Sequence, residues 1–156
     1  MAIALEGLLV GAGRVAIIVS RYHERITTRL LEGARAVCTD AGLAENALDV
    51  LWVSGAFELG VVSAAAARSG RYTAIVALGL VVRGETPHFD IIAGETAAAL
   101  RQTANETLVP VGFGLLTCDT MEQAAARAGG AAGNKGREAA EAALRTADLL
   151  RQLRAV

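Results

Sequence analysis

The sequence predicts an α/β fold, a four-stranded parallel sheet with helices on both faces. Three observations carry this. Continuous apolar runs, from Val15 to Val19 and from Ala74 to Val82, have the pattern of strands buried on both faces. They alternate along the chain with segments whose apolar residues recur at helical spacing. The links between these elements are short, and no linker or repeat suggests a second domain; 156 residues fit one.

Met1 to Gly13 reads as an N-terminal arm, extended and of uncertain order, and residues 14–156 as the domain proper. Arg14 to Ser20 is the first strand, followed by a polar link, Arg21 to Arg25. From Ile26 to Ala41 the residues Ile26, Leu30, Leu31, Ala34 and Val37 mark one helical face, and Gly42 closes the helix. Ala47 to Val53 is the second strand. Gly55-Ala56-Phe57-Glu58 turns the chain into a helix from Glu58 to Arg68, which Gly70 ends. Thr73 to Val82 is the third strand, broken at Arg83-Gly84-Glu85-Thr86-Pro87. Thr86 suits an N-cap and Pro87 the first position of a helix reaching Ala104. Val109 to Leu116 is the fourth strand. Thr120 and Gln123 form a capping box for a short helix reaching Ala128. A glycine-rich bend, Gly129 to Gly136, leads to a last helix, Arg137 to Arg154, with Ala140, Ala143, Leu144, Ala147 and Leu150 on one face.

Composition narrows the function. The chain is 53% hydrophobic but only 4% aromatic, so its core is Ala, Val and Leu, and the apolar surplus points to burial between subunits. A net charge of −1 with scattered signs gives neither a nucleic-acid footprint nor a polybasic membrane patch. No uncharged run has the length of a membrane helix, and the N-terminus lacks a signal-peptide pattern, so a cytoplasmic location is expected. Cys38 and Cys118 have no metal or redox spacing and read as reduced, partly buried thiols.

The residues with chemistry to offer follow strands: Tyr22, Phe57, Glu58, His88 and Cys118. Open α/β sheets bind ligands at that edge. His88 falls at a helix start, where the dipole opposes a positive charge, and a neutral imidazole can take and return protons. Glu85 and Asp90 are close enough in sequence to orient it. His23, in the polar link, reads as a solvated loop residue. The amides of Gly84-Glu85-Thr86 and the Thr86 hydroxyl suit an anion, or simply cap a helix. Glu58 either accepts hydrogen bonds from ligand hydroxyls or sits favourably in a first helical turn. Tyr22, Phe57 and Phe113 either stack on a heterocycle or pack in the core. Arg127 and Lys135 flank the glycine-rich bend and either pair with a phosphate or solvate a helix end. Gly11-Ala12-Gly13-Arg14-Val15-Ala16 fits a dinucleotide pattern, but a strand rather than a helix follows it, so that reading is rejected. Two separated histidines make no metal cluster.

Four stretches occur in an order that resembles the lumazine synthases. They are Gly55-Ala56-Phe57-Glu58, Arg83-Gly84-Glu85-Thr86-Pro87-His88-Phe89-Asp90, Phe113-Gly114-Leu115-Leu116-Thr117 and Gly133-Asn134-Lys135-Gly136. The resemblance implies a three-layer, flavodoxin-like sandwich. It implies condensation of 5-amino-6-(D-ribitylamino)uracil with 3,4-dihydroxy-2-butanone 4-phosphate to 6,7-dimethyl-8-ribityllumazine, with no cofactor and no metal. On that resemblance His88 transfers protons. Tyr22, Ala56, Phe57, Glu58, Leu80, Val81, Val82 and Phe113 hold the pyrimidine and its ribityl chain. Glu85, Thr86 and Arg127 hold the phosphate, with Lys135 beside them. The family builds its site between subunits of a pentamer, so Phe113, Arg127 and Lys135 would come from a neighbouring chain. The short Gly133–Gly136 bend resembles that of members forming icosahedral shells, and riboflavin synthase is a further candidate partner.

The departures are mild. Ser54 and Gly60 stand where the family commonly has prolines, and Cys118 where it has a threonine. Ser54 and Gly60 are expected to loosen the second turn and weaken pyrimidine binding without removing a catalytic group. Two rival readings stay open on the sequence: a protein that sequesters a flavin or lumazine without turnover, and a shell-former without activity.

Overall fold

The computed structural model describes Met1–Val156. Four parallel strands form the central sheet: β1 (Val15–Ser20), β2 (Leu48–Val53), β3 (Ala74–Val82) and β4 (Val111–Cys118). Their order is β2-β1-β3-β4, with β1 and β3 in the middle. The two longest apolar runs thus take the two central places, where both faces are covered; Val15 to Ser20 is buried throughout. Alternation along the strands sorts their side chains into two cores. Val15, Ile17, Val19, Val76 and Leu78 pack with α1 (Glu24–Asp40) and α5 (Lys135–Arg154). Ala16, Ile18, Ile75, Ala77 and Leu115 pack with α2 (Leu59–Arg68) and α3 (His88–Thr107) on the other face. The result is the expected three-layer α/β sandwich. The Gly11–Gly13 motif leads straight into β1, a strand.

Several boundaries differ from expectation, each for a local reason. Helix α1 starts at Glu24 because His23, in a left-handed turn with φ 62°, already accepts backbone bonds from Ile26 and Thr27. The N-cap of α3 is Pro87 rather than Thr86, and Thr86 helps from one residue further back, its hydroxyl accepting from the His88 N–H at 3.4 Å. Strand β4 begins after Pro110 and runs to Cys118, where it stays in register with Val82 at the end of β3. Thr120 and Gln123 form the expected capping box, and the helix they start, α4, spans Met121–Ala126.

The glycine-rich bend is a small antiparallel hairpin, β5 (Ala128–Gly130) with β6 (Gly133–Asn134). Asn134 ends it and caps α5, accepting from the Arg137 N–H at 3.1 Å while its amide donates to the Arg29 carbonyl at 3.1 Å. Close approach then fixes α5 on both sides. A Cβ on Gly136 would run into the Leu30 carbonyl of α1, and one on Gly112 into the Ala139 carbonyl of α5.

Residues 1–13 hold no helix or strand, yet they lie along α5. Leu8 N–H donates to Asp148 at 2.8 Å, Gln152 to the Glu6 carbonyl at 2.8 Å, and Arg145 to the Gly7 carbonyl at 3.2 Å. No helix is long and apolar enough to cross a membrane.

Candidate functional site

The C-terminal ends of β1 and β3 and the turn after β2 surround a cavity of about 550 Å³, within the usual range for small-molecule sites. The turn after β1 supplies Tyr22 and His23, and the turn after β2 supplies Gly55, Ala56, Phe57 and Glu58. The end of β3 supplies Leu80, Val81 and Val82, and the first turns of α3 supply His88 and Ile92. The β1 turn is pinned to the β2 turn by backbone bonds from Arg21 to Val53 at 2.8 Å and from Tyr22 to Ser54 at 3.0 Å. Tyr22 and Phe57 are 67% and 58% exposed. Core packing is therefore not what these rings do; they are free to receive a planar ligand.

The loop before His88 is clamped by Arg83. Its backbone N–H donates to Cys118 at 2.9 Å, its guanidinium binds Asp119 at 2.8 Å and Asp90 at 3.5 Å, and it lies 4.3 Å from the Phe89 ring centroid. Asp90, expected to orient His88, is thus committed to Arg83. The structure gives neither Asp90 nor Glu85 a hydrogen bond to the His88 ring, which is exposed.

A second cavity, of about 460 Å³, is lined by Phe113, Leu115 to Cys118, Arg127, Ala132, Lys135 and Glu138. It shares no residue with the first. So one chain brings together Tyr22, Ala56, Phe57, Glu58, Leu80, Val81, Val82 and His88, and elsewhere brings together Phe113, Arg127 and Lys135. Glu85 and Thr86 are exposed on the loop between β3 and α3 and line neither cavity. Arg127 is steadied by a bond from its guanidinium to the Gln123 carbonyl at 3.0 Å.

Two lining residues of the first cavity escaped the sequence reading, His23 and Ile92, whereas Gly55 belongs to the Gly55–Glu58 turn already singled out. Ile92 was findable one helical turn beyond His88. His23 was findable by the same strand-end rule that selected Tyr22, but its polar neighbours suggested a solvated loop. The ring is half-buried, and burial lowers its pKa from the ordinary histidine value. Glu138, in the first turn of α5, joins the second cavity.

The thiols are poor nucleophiles. Burial pushes Cys38 up to about 11. Burial also raises Cys118, against the opposing pull of Arg127. Gly60 lets α2 approach α3: it is buried, and a Cβ there would sit 2.9 Å from Ala99 Cβ. A hollow of about 410 Å³ at the opposite edge of the sheet, near Tyr72, Leu108 and Arg154, is lined by no histidine, cysteine or carboxylate. The chemistry is concentrated at the C-terminal edge.

Comparison with known proteins identifies the family. Residues 12–151 match the family described as 6,7-dimethyl-8-ribityllumazine synthase. A protein of that name from Gemmatimonas aurantiaca is 53% identical over 136 residues, covering 87% of this chain and 83% of the relative. One from Chlorobium chlorochromatii is 45% identical over 150 residues, covering 96% and 97%. The chain belongs to the 6,7-dimethyl-8-ribityllumazine synthase family.

Proposed function

We propose that this chain condenses 5-amino-6-(D-ribitylamino)uracil with 3,4-dihydroxy-2-butanone 4-phosphate, releasing 6,7-dimethyl-8-ribityllumazine, phosphate and water, a step of riboflavin biosynthesis. The observation that carries the reading is the meeting of two exposed aromatic rings with His88 in one cavity. The nucleophile is the substrate's own amine, so the absence of an activated thiol is no obstacle. The amine adds to the butanone carbonyl and water leaves to form an imine. Phosphate is eliminated, the product tautomerises, and ring closure expels a second water. Each step moves a proton, and positioning does much of the rest.

In this reading His88 moves protons at the reacting carbons and nitrogens. Tyr22 and Phe57 offer faces to the pyrimidine, Ala56 and Leu80 to Val82 admit it close to the backbone, and Glu58 accepts from the ribityl hydroxyls. Glu85 and Thr86 flank the phosphate. The first cavity contains no arginine or lysine, whereas the phosphate needs a cation. Arg127 and Lys135, with Phe113, supply it from a neighbouring subunit. Exposed Phe57, Val61, Ile91 and Phe113 support such a neighbour, and a homopentamer is the assembly proposed. The tight Gly133–Gly136 bend favours pentamers that join into an icosahedral shell. Riboflavin synthase, which consumes the product, is the proposed protein partner. Two free, buried thiols fit a cytoplasmic location.

The test is lumazine formation followed spectroscopically, read as the excess over the uncatalysed condensation. Wild type is expected to accelerate it, and His88→Ala to lose most of the excess. Arg127→Ala removes charge-assisted bonds and should raise KM for the phosphate substrate about 10- to 100-fold, with little change for the pyrimidine. No acceleration by a folded wild-type protein would overturn the enzyme reading. Equal effects of Arg127→Ala on both substrates would overturn its role.

A further inference from the structure

The chain has two histidines, and both line the 550 Å³ cavity. His88 has a part in the reaction above; His23 has none. Its surroundings differ from those of a solvated loop residue. His23 holds a left-handed backbone, φ 62°, a conformation that costs most non-glycine residues energy. It caps α1 through its carbonyl, which accepts from Ile26 N–H at 2.9 Å and Thr27 N–H at 3.1 Å. Its imidazole makes no capping bond, although side chains at this position commonly do. Instead the ring lies 4.4 Å from the Tyr22 ring, tilted by 58°. The neighbouring bonds from Arg21 to Val53 and from Tyr22 to Ser54 hold the turn in place, as strained turns at functional sites require. The left-handed turn therefore leaves the imidazole on the cavity wall rather than at the helix end.

We infer that His23 is a second substrate-contacting histidine, whose imidazole hydrogen-bonds the polar edge of the pyrimidine and sets specificity for that substrate. The inference rests on the proposal that the pyrimidine lies on Tyr22. A heterocycle flat on that ring presents its carbonyl and N–H groups sideways. His23, tilted against the same ring, flanks those edges instead of extending the stack. Burial favours the neutral imidazole, which has one donor and one acceptor nitrogen and can meet either group. Glu58, as a carboxylate, can only accept, so His23 adds an uncharged donor to this cavity.

The test uses His23→Gly and His23→Asn in the full chain. Glycine suits φ 62° and retains the carbonyl cap, so a purely structural histidine predicts equal or higher thermal stability and unchanged substrate constants. Contact with the pyrimidine predicts that His23→Gly folds equally well but binds 5-amino-6-(D-ribitylamino)uracil about 5- to 10-fold more weakly by calorimetry. KM for that substrate should rise in parallel, and KM for the butanone phosphate should stay unchanged. His23→Asn, which tolerates the left-handed turn and keeps a donor and an acceptor, should recover much of the loss. Unchanged pyrimidine affinity in His23→Gly, with wild type still turning over, would overturn the inference alone. A wild type that neither binds the pyrimidine nor forms lumazine would overturn the underlying reading and this inference with it.

Discussion

Asp49 receives hydrogen bonds from Tyr72 at 2.8 Å, Arg71 at 3.1 Å and Arg14 at 2.7 Å, joining the starts of β1, β2 and β3 at the edge opposite the site. The Tyr72 hydroxyl first, then the two guanidiniums, lower its carboxyl from 3.8 to about 2. A depressed folded-state value means that the carboxylate's contribution to stability is complete above the unfolded value and is lost as protons bind. Thermal stability should therefore fall as pH drops from 3.8 toward 2, and Asp49→Asn should flatten that part of the profile. A melting series across this range checks it; an unchanged slope in the variant would assign the acid sensitivity elsewhere. No sequence pattern announced this cluster, because Arg14, Asp49 and the Arg71-Tyr72 pair are separated from one another by whole elements. His88, Tyr22 and Phe57 were legible because each follows an apolar run. His23 obeys the same rule, but its polar neighbours give it the pattern of a solvated loop residue.

At the scale of elements, the joint between α1 and α5 depends on one absent side chain. Gly136 lies in the first turn of α5 against the Leu30 carbonyl, with backbone rather than a flexible side chain in the way. Gly136→Ala should destabilise the protein by about 1–3 kcal/mol despite alanine's better helix propensity, read as a lower midpoint in denaturant. A neutral result would show that α5 can shift away from α1 at no cost. The strands and long helices were legible from apolar spacing. The β5–β6 hairpin was not, since its strands are three and two residues long and built from Ala, Gly and Asn, too short to show alternation. The N-cap of α3 falls one residue later than expected, on Pro87 instead of Thr86, for a similar reason: both residues suit a helix start, and only the actual path of the loop selects between them.

For the whole molecule, a layered α/β sheet followed from the alternation of buried runs and helical stretches. The order of the strands did not, because parallel pairing is decided by crossovers and packing that no local pattern records. Nor did the sequence by itself place Arg127 away from His88. In the folded chain these residues line cavities with no residue in common. That separation has a consequence for inheritance. In the assembly proposed above, damage to one cavity leaves the other intact, so two different defective alleles each supply what the other lacks. His88→Ala and Arg127→Ala subunits, dissociated, mixed equally and reassembled, should regain about a quarter of wild-type activity, the share of junctions that join two sound halves across a cyclic interface. A mixture no more active than its two parts would mean that each chain completes its site alone.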